Sequence, residues 1–264
     1  MRKILILSLI IFGWFDVASA EPAHIAQVIE IVDGDTVFID PPLEDGNEIR
    51  LVGIQAPKLP LGRKNFDAWP LSAEAKDLIS DLTLGQQVAL SFGGSERDRY
   101  GRWLAHLHIT TGTNKGLWVQ GEMLRQGLAR VYSFADNRSQ VDAMLALEKE
   151  ARQTRRGIWA QDYYAIRNAD PVALERELGT FQLIEGRVVD AAKVKGTIYL
   201  NFGADWRTDF TVSLRHKTVR MFKKAGIDPL SLKGQSIRVR GWLSKRNGPM
   251  IKASHPEQIE VLGR

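Results

Sequence analysis

The stretch Asp-Gly-Asp-Thr at residues 33–36 is the part of this chain on which the fold assignment depends. It stands between two runs rich in β-branched and apolar residues, 27–32 and 37–39, which is the pattern of two strands joined by a tight acidic turn. A third run of this kind, 49–54, follows a loop that contains two prolines. The sequence therefore predicts three consecutive β-strands, with two carboxylates in the first turn.

Three further segments follow this turn in a fixed order. They are Ile-Arg-Leu-Val-Gly-Ile-Gln-Ala-Pro-Lys at 49–58, Asp-Arg-Tyr-Gly-Arg-Trp-Leu-Ala at 98–105, and Arg-Gln-Gly-Leu-Ala at 125–129. One segment alone is weak support, because an acidic turn after a strand is usually an ordinary hairpin. Together, over residues 25–160, the four segments resemble the thermonuclease (staphylococcal-nuclease-like) family. The resemblance implies a five-stranded OB-type barrel with three helices, within a β-rich α+β fold.

Apolar periodicity adds the remaining elements of this region. Ser72 is a suitable N-cap for a helix whose apolar residues follow the i, i+3, i+4, i+7 spacing. Strands are predicted at 87–92 and 102–109, and further helices at 117–126 and 139–154. Periodicity alone supports only a mixed α and β structure.

The resemblance also implies roles for individual residues. The family's residue at Asp35 binds calcium, and its residues at Arg50 and Arg102 grip the phosphate and stabilise the transition state. Arginine suits this task because its planar fork donates two hydrogen bonds to phosphate oxygens and keeps its charge. Two positions depart from the family pattern: Gln55 replaces a second calcium-binding aspartate, and Lys58 replaces the glutamate assigned as general base.

These replacements predict a changed metal site. A glutamine oxygen coordinates calcium only weakly, and an ammonium at roughly 4 Å repels a divalent cation by about 1–4 kcal/mol. We therefore expect poor calcium binding, with Asp35 as the metal ligand that remains and Gln55 as a weak second one. Lys58 would instead join Arg50 and Arg102 in gripping phosphate.

Three functions fit the sequence. In the first, the protein binds nucleic-acid phosphodiesters and its calcium-dependent cleavage is impaired. In the second, another acid such as Asp33 or Asp67, or a shifted metal position, restores hydrolysis of DNA or RNA. In the third, OB-like barrels serve as structural spacers. Incubation with nucleic acid in calcium, magnesium or chelator separates the first two.

The first 20 residues have the pattern of a cleaved signal peptide. Two basic residues precede an apolar run of about 12 residues, and Ala-Ser-Ala at 18–20 provides small residues for cleavage. The run is shorter than the roughly 20 residues of a membrane span, although an uncleaved anchor is the alternative. We expect a periplasmic or extracellular protein. The chain contains no cysteine, which excludes disulfides, thiol catalysis and cysteine-bound metals.

The charge of the chain is unevenly distributed. Residues 180–264 contain 16 Lys and Arg against seven Asp and Glu, whereas residues 21–179 contain 18 against 23. A basic segment is typical of proteins that bind nucleic acid or another polyanion. Strands are predicted at 181–189, 197–202, 209–214, 236–243 and 250–261, with a helix near 216–225. This order suggests a second OB-like barrel at 180–264, joined by a connector at 161–179, although a different small β module also fits.

Basic and aromatic residues alternate in this second region. The candidates for nucleic-acid binding are Arg207, Arg238, Arg240, Trp242, Lys245 and Arg246. Arg238, Arg240 and Trp242 are two residues apart, which predicts that they share one face of a strand. Cations along phosphates with aromatics under bases are the means by which OB-folds bind single strands, with low sequence specificity. The alternative is that Trp242 belongs to the barrel core and the cations are merely solvated.

Overall fold

The computed structural model describes residues 24–263, so the predicted signal peptide lies outside the described residues. The strands of the first domain are β1 (His24–Asp33), β2 (Thr36–Leu43), β3 (Gly46–Leu51), β4 (Ile54–Gln55), β5 (Gln87–Ser91), β6 (Trp103–Ile109) and β7 (Arg130–Val131). Its helices are α1 (Ser72–Thr83), α2 (Val119–Arg125) and α3 (Val141–Gln153). A closed barrel forms in the order β1-β2-β3-β6-β5, and β4 pairs with β7 beside it. The predicted five-stranded barrel with three helices is confirmed.

One apolar core fills this barrel and extends beneath the helices. Alternate residues of the strands point inward, as the period of two requires, and Val28, Val37 and Ile39 are fully buried. In one detail the helix prediction was wrong. Ser72 is the first helical residue and not the N-cap, because Leu71 holds that position and no side chain accepts a capping hydrogen bond there.

The second domain has its own sheet and its own core. Its strands are β8 (Arg167–Asn168), β9 (Phe181–Arg187), β10 (Asp190–Val194), β11 (Thr197–Asn201), β12 (Thr211–Leu214), β13 (Ser236–Arg246), β14 (Gly248–Ala253) and β15 (Ile259–Val261). The helices are α4 (Pro171–Leu174) and α5 (His216–Lys224). The sheet order is β10-β11-β12-β14-β13-β9-β8, with β15 also paired to β13. The sheet curls into a half-barrel, whereas the sequence predicted an OB-like barrel.

The region interpreted as a connector contributes to this second domain. β8 pairs with β9 in parallel, and Leu174 is buried in the second core. The sequence predicted no strand at β10. It predicted one continuous strand across β14 and β15, which a short helical turn at Pro256–Gln258 separates. The second domain therefore has more and shorter strands than the periodicity indicated.

Buried ion pairs join the two domains. Glu148 of α3 accepts hydrogen bonds of 2.9 and 3.0 Å from the guanidinium of Arg240 in β13. Arg240 also donates to Glu260 at 2.6 Å, and Arg152 of α3 contacts Glu148 at 3.1 Å and Glu260 at 3.0 Å. We call these four residues the interdomain cluster. Since Glu148 and Arg240 are 0% and 1% exposed, the cluster fixes the second domain against α3.

Among the described residues, helices long and apolar enough to span a membrane are absent.

Candidate nucleic-acid phosphate site

The acidic turn lies between β1 and β2 and packs tightly against neighbouring backbone. The Oδ1 atom of Asp33 accepts a hydrogen bond of 3.0 Å from the backbone N–H of Asp35, which closes the turn. At Gly34, a Cβ atom would lie 2.7 Å from the Cβ of Ala56 and 2.8 Å from that of Ala75 in α1. Glycine is therefore required for the turn to approach α1 this closely.

Asp35 is fully buried, and both of its carboxylate oxygens have partners. Its Oδ2 accepts a hydrogen bond of 2.8 Å from the backbone N–H of Ala56. The same atom lies 3.2 Å from Nη2 of Arg50. The Oγ1 of Thr36 donates to its Oδ1 at 3.3 Å.

Lys58 places its ammonium between the two carboxylates of the turn. Its Nζ donates to Oδ1 and Oδ2 of Asp35 at 2.6 and 2.7 Å and to Oδ2 of Asp33 at 3.1 Å. Three carboxylate oxygens thus surround one cation. We call Asp33, Asp35, Arg50 and Lys58 the turn cluster. The expectation that Lys58 is a free cation gripping phosphate is corrected here, because its donors are directed at carboxylates.

Arg50 is bound to the backbone around the turn as well as to Asp35. Its Nη1 donates to the carbonyl oxygens of Asp35 (3.1 Å) and Leu51 (2.6 Å), and its Nη2 donates to that of Ile54 (2.6 Å). The residue is 9% exposed. Most of the donors that a phosphate would use are therefore already occupied, and Arg50 holds the acidic turn, β3 and β4 together.

Gln55 is directed toward a residue that the sequence analysis did not single out. Its Oε1 accepts hydrogen bonds of 3.0 and 2.7 Å from Nε and Nη2 of Arg130 in β7. Burial lowers the pKa of Arg130 to about 10, despite the nearby Tyr164. The amide oxygen of Gln55 is thus engaged by a cation. Pairing of β4 with β7 brings these residues together, and this long-range contact has no local sequence signal.

Within the turn cluster, the pKa values of the two acids are shifted in opposite directions. Burial opposes ionisation of Asp35, but Arg50 and Lys58 outweigh it and hold the pKa of Asp35 well below its usual range. Burial, followed by the charge of Asp35, raises the pKa of Asp33. In their ionised forms, two carboxylates and two cations give the turn cluster no net charge.

These residues do not fit a calcium ion. Calcium takes six to eight oxygen ligands, several of them carboxylates. Here the oxygens of Asp35 are bound by Lys58, Arg50 and Ala56, and the oxygen of Gln55 is bound by Arg130. Within residues 24–263, groups of three or more His, Cys, Asp and Glu with metal-binding geometry are also absent. A divalent ion would have to displace the ammonium of Lys58.

Arg102 lies at the start of the strand that pairs with the strand of Arg50, and its side chain keeps some access to solvent. It precedes β6 by one residue, and Leu104 of β6 lies opposite Arg50 of β3. The Nε and Nη2 atoms of Arg102 donate to Oδ2 of Asp98 at 2.8 and 2.6 Å, and its side chain is 27% exposed. Tyr100 is 69% exposed beside it, with its ring 5.5 Å from the guanidinium carbon. Among the three residues predicted to bind phosphate, Arg102 is therefore better placed than Arg50 or Lys58 to meet a ligand.

The candidate residues of the second domain separate into two groups. Arg207, Lys245 and Arg246 are exposed, and the first two have only surface carboxylate partners. Arg238 is largely buried and binds Glu185 and Glu260. Arg240 is fully buried in the interdomain cluster, so the expectation that it contacts nucleic acid is corrected.

Trp242 is half exposed at the edge of the domain interface. Its indole N–H donates to the hydroxyl of Tyr132 at 2.8 Å, and its ring packs against Phe181. The alternative that Trp242 lies in the barrel core is therefore not what the structure shows. The prediction that alternate residues of β13 share one face is correct, but at Arg238 and Arg240 that face is covered by carboxylates.

The sequence analysis also overlooked the most basic element of the second domain. Helix α5 and the residue directly before it carry five exposed cations. None of them has a carboxylate partner among the described residues. They are Arg215, Lys217, Arg220, Lys223 and Lys224. The spacing of these cations on an amphipathic helix could have identified them, since the apolar positions Val219 and Phe222 occupy the opposite, buried face.

A five-stranded barrel with an arginine at a strand end beside an acidic turn defines the first domain as an OB-type nuclease fold. The model of the family described as "Staphylococcal nuclease homologue" matches residues 48–161. A protein of Escherichia coli O157:H7 named "Uncharacterized endonuclease" is 34% identical over 173 residues, which are 65% of this chain and 94% of that protein. The chain belongs to the staphylococcal nuclease family, as its sequence motifs predicted.

Two further relatives each match about half of the chain. A "Thermonuclease" of Staphylococcus hyicus is 28% identical over 141 residues, or 51% of this chain and 75% of that protein. "Endonuclease YhcR" of Bacillus subtilis is 27% identical over 150 residues, which are 54% of this chain but 12% of that protein.

Proposed function

We propose that this protein binds nucleic-acid phosphodiesters and that its calcium-dependent cleavage is impaired, because Lys58 supplies the positive charge that a metal ion would bring. The observation that carries this proposal is the position of Lys58 Nζ, 2.6–3.1 Å from three carboxylate oxygens of Asp33 and Asp35. A bound ammonium neutralises the turn but provides no Lewis acid and no activated water.

Nucleic acid is supported as the ligand by the family and by the distribution of charge. Arg102 provides a partly exposed cation, and Tyr100 provides an exposed ring beside it. Arg207, Lys245 and Arg246 add exposed cations on the second domain. Contacts of this kind recognise phosphates and not base edges, so we expect low sequence specificity and a strong salt dependence.

An active endonuclease is the second candidate. It is favoured by the relative that this chain covers to 94% and that is named as an endonuclease. In that case a divalent ion would displace Lys58, or another acid such as Asp67 would take part.

One assay separates the two candidates. The purified protein is incubated with labelled single-stranded DNA, double-stranded DNA and RNA in calcium, in magnesium and in chelator, with the Staphylococcus hyicus thermonuclease as positive control. We expect binding in every condition and no more cleavage in calcium than in chelator. Calcium-dependent cleavage at a rate close to that of the control would establish the endonuclease instead.

Export is part of the same proposal. The basic, apolar and small-residue regions of residues 1–20 support a cleaved signal peptide. N-terminal sequencing of the protein from cell fractions tests it: a chain that starts at residue 21, outside the cytoplasm, is expected. A cytoplasmic protein that retains residue 1 would contradict it.

A further inference from the structure

A cleft with a volume of about 260 Å³ lies where the two domains meet. Its lining from the first domain is the segment Tyr132–Ser133–Phe134 that follows β7. The second domain contributes Phe181, Trp242, Lys252 and Ser254, together with neighbouring residues of β13 and β14. Neither domain forms this cleft alone, and the interdomain cluster holds its two sides in place.

Four aromatic rings follow one another along the cleft, each contacting the next. Phe134 and Tyr132 have centroids 4.9 Å apart with nearly perpendicular planes, and Tyr132 and Phe181 are related in the same way at 5.0 Å. Phe181 contacts Trp242 at 6.4 Å. In an edge-to-face pair, the edge of one ring covers at most one face of the other. The end rings of the row, Phe134 and Trp242, each have one neighbour in it and therefore keep an uncovered face. Phe134 is 48% and Trp242 is 50% exposed.

A cation lies beside this aromatic row. Lys252 of β14 is exposed, lines the cleft, and has no acidic partner within residues 24–263. Helix α5 begins close by, because the hydroxyl of Thr218 donates to the carbonyl oxygens of residues 253 and 254 at 3.4 Å. From Lys217 to Lys224 the helix carries exposed cations over roughly 10 Å, at 1.5 Å per residue. A polyanion bound at Lys252 would therefore meet further positive charge on α5.

We propose that this cleft binds one unpaired base of a single-stranded nucleic acid, stacked on Trp242, while Lys252 and α5 contact the adjoining phosphates. The inference rests on the proposed function and narrows it to single strands, because a base in a duplex is already stacked on its neighbours. The volume is slightly below the roughly 300–1,000 Å³ of pockets for whole ligands, and it suits a flat ring better than a nucleotide chain. Aromatic platforms beside a line of cations are the usual means of binding single strands without sequence readout.

The experiment compares two oligomers with the same number of phosphates. One is oligodeoxythymidylate, and the other is an abasic oligomer of equal length. Dissociation constants for the full chain are measured by fluorescence anisotropy of the labelled oligomers at one salt concentration. We expect the oligomer with bases to bind about tenfold more tightly, in line with stacking of one base on an aromatic side chain.

Variants at Trp242 assign this difference to the cleft. Trp242→Ala should bind both oligomers with the affinity that the wild type shows for the abasic one. Trp242→Phe keeps an aromatic face and should retain most of the difference, which guards against a loss caused by misfolding. Trp206→Ala is the matched control, because Trp206 is 52% exposed in the same domain but lies outside the cleft, and it should behave like the wild type.

Each remaining outcome decides against a different claim. If the wild type binds both oligomers equally, the cleft takes no base, but the proposed phosphate binding stands. If neither oligomer binds, the proposed function fails and this inference fails with it. If Trp242→Ala weakens both oligomers equally, Trp242 only stabilises the interface.

Discussion

The turn cluster and the interdomain cluster are both buried, and each pairs two carboxylates with two cations, but they differ in the cation that completes them. In the turn cluster, the ammonium of Lys58 contacts three oxygens as a point charge, and its side chain is 19% exposed. In the interdomain cluster, the guanidinium of Arg240 is 1% exposed and reaches Glu148 and Glu260 through a rigid fork. An ammonium can exchange with a metal ion inside the same ring of oxygens, whereas a fork fixed between two domains cannot. The first cluster therefore lies within one domain and neutralises the acidic turn, whereas the second joins the two domains.

Breaking the interdomain cluster should have the largest effect on stability. Glu148→Gln removes one of the two carboxylates that compensate Arg240 and leaves Glu260 alone against Arg152 and Arg240. A buried charge left without its partner costs about 3–5 kcal/mol. We expect the free energy of unfolding, measured by chemical denaturation, to fall by that amount.

Glu150→Gln is the matched control, because Glu150 lies on the same helix and is exposed. Its free energy of unfolding should stay close to that of the wild type. A similar small change in Glu148→Gln would show that the cluster does not fix the domains.

Acid should weaken the same interface in two steps, the first of which involves His255. The Nε2 atom of His255 lies 2.8 Å from the hydroxyl oxygen of Ser133 in the first domain. Burial lowers the pKa of His255 from 6.5 to about 4, so the unfolded chain takes up a proton first and stability falls as the pH decreases from about 6.5 to 4. For Glu260, burial opposes ionisation, but Arg152 and Arg240 outweigh it and lower the pKa from 4.5 to about 2. Its contribution is therefore complete above about pH 4.5 and is lost as the pH falls toward 2.

Denaturation at a series of pH values checks the first step. His255→Gln should remove up to about 3 kcal/mol of the pH dependence between 6.5 and 4, and His106, whose pKa burial also lowers to about 4, should account for part of the rest. His216→Gln, at an exposed histidine of α5, should leave the profile unchanged. A wild-type stability that is flat from pH 6.5 to 4 would rule out this account of His255.

In both clusters, the sequence predicted the local strands and helices but not the long-range contacts between side chains. Strand and helix patterns around the acidic turn are local, so β1 to β3 and the three helices of the first domain followed from periodicity and the family resemblance. Lys58 was recognised as unusual, but its contact with residues more than 20 positions away depends on how β4 returns beside the turn. For Arg240, alternation predicted the strand face correctly, but only the docked position of α3 shows that this face is buried. β10, with the sequence Asp-Ala-Ala-Lys-Val, has no buried residue and no alternation of apolar and polar residues, so its strand pattern is weak.

Gln55→Asp should show whether Gln55 or Lys58, the two departures from the family pattern, prevents calcium binding. The new carboxylate is one methylene shorter than Gln55 but stays opposite Arg130 in the pairing of β4 with β7, so it should pair with that guanidinium and leave calcium affinity unchanged. Stability should rise modestly, by about 1 kcal/mol, because Arg130 is buried and gains a counter-charge. Calorimetry and denaturation of this variant provide both measurements. A clear gain in calcium affinity from this change alone would place Gln55, and not Lys58, as the obstacle to metal binding.

Arg102→Ala should have the smallest effect on the fold and a clear effect on the ligand. Its pair with Asp98 is partly exposed, so the loss of stability should be about 0–1 kcal/mol. Affinity for a 3′,5′-diphosphonucleoside, measured by calorimetry, should fall. Arg99→Ala, an exposed arginine in the same loop, provides the control and should bind like the wild type. Equal affinity of the wild type and Arg102→Ala would mean that Arg102 does not contact phosphate.

Calcium titration of the wild type and of Lys58→Glu by calorimetry tests the central claim most directly. The wild type should show no binding tighter than about 1 mM, because the ammonium of Lys58 already satisfies Asp33 and Asp35. Lys58→Glu removes that charge and adds a carboxylate, and it should bind calcium at least about tenfold more tightly. A wild-type dissociation constant near or below about 10 µM, or no gain in the variant, would contradict the account.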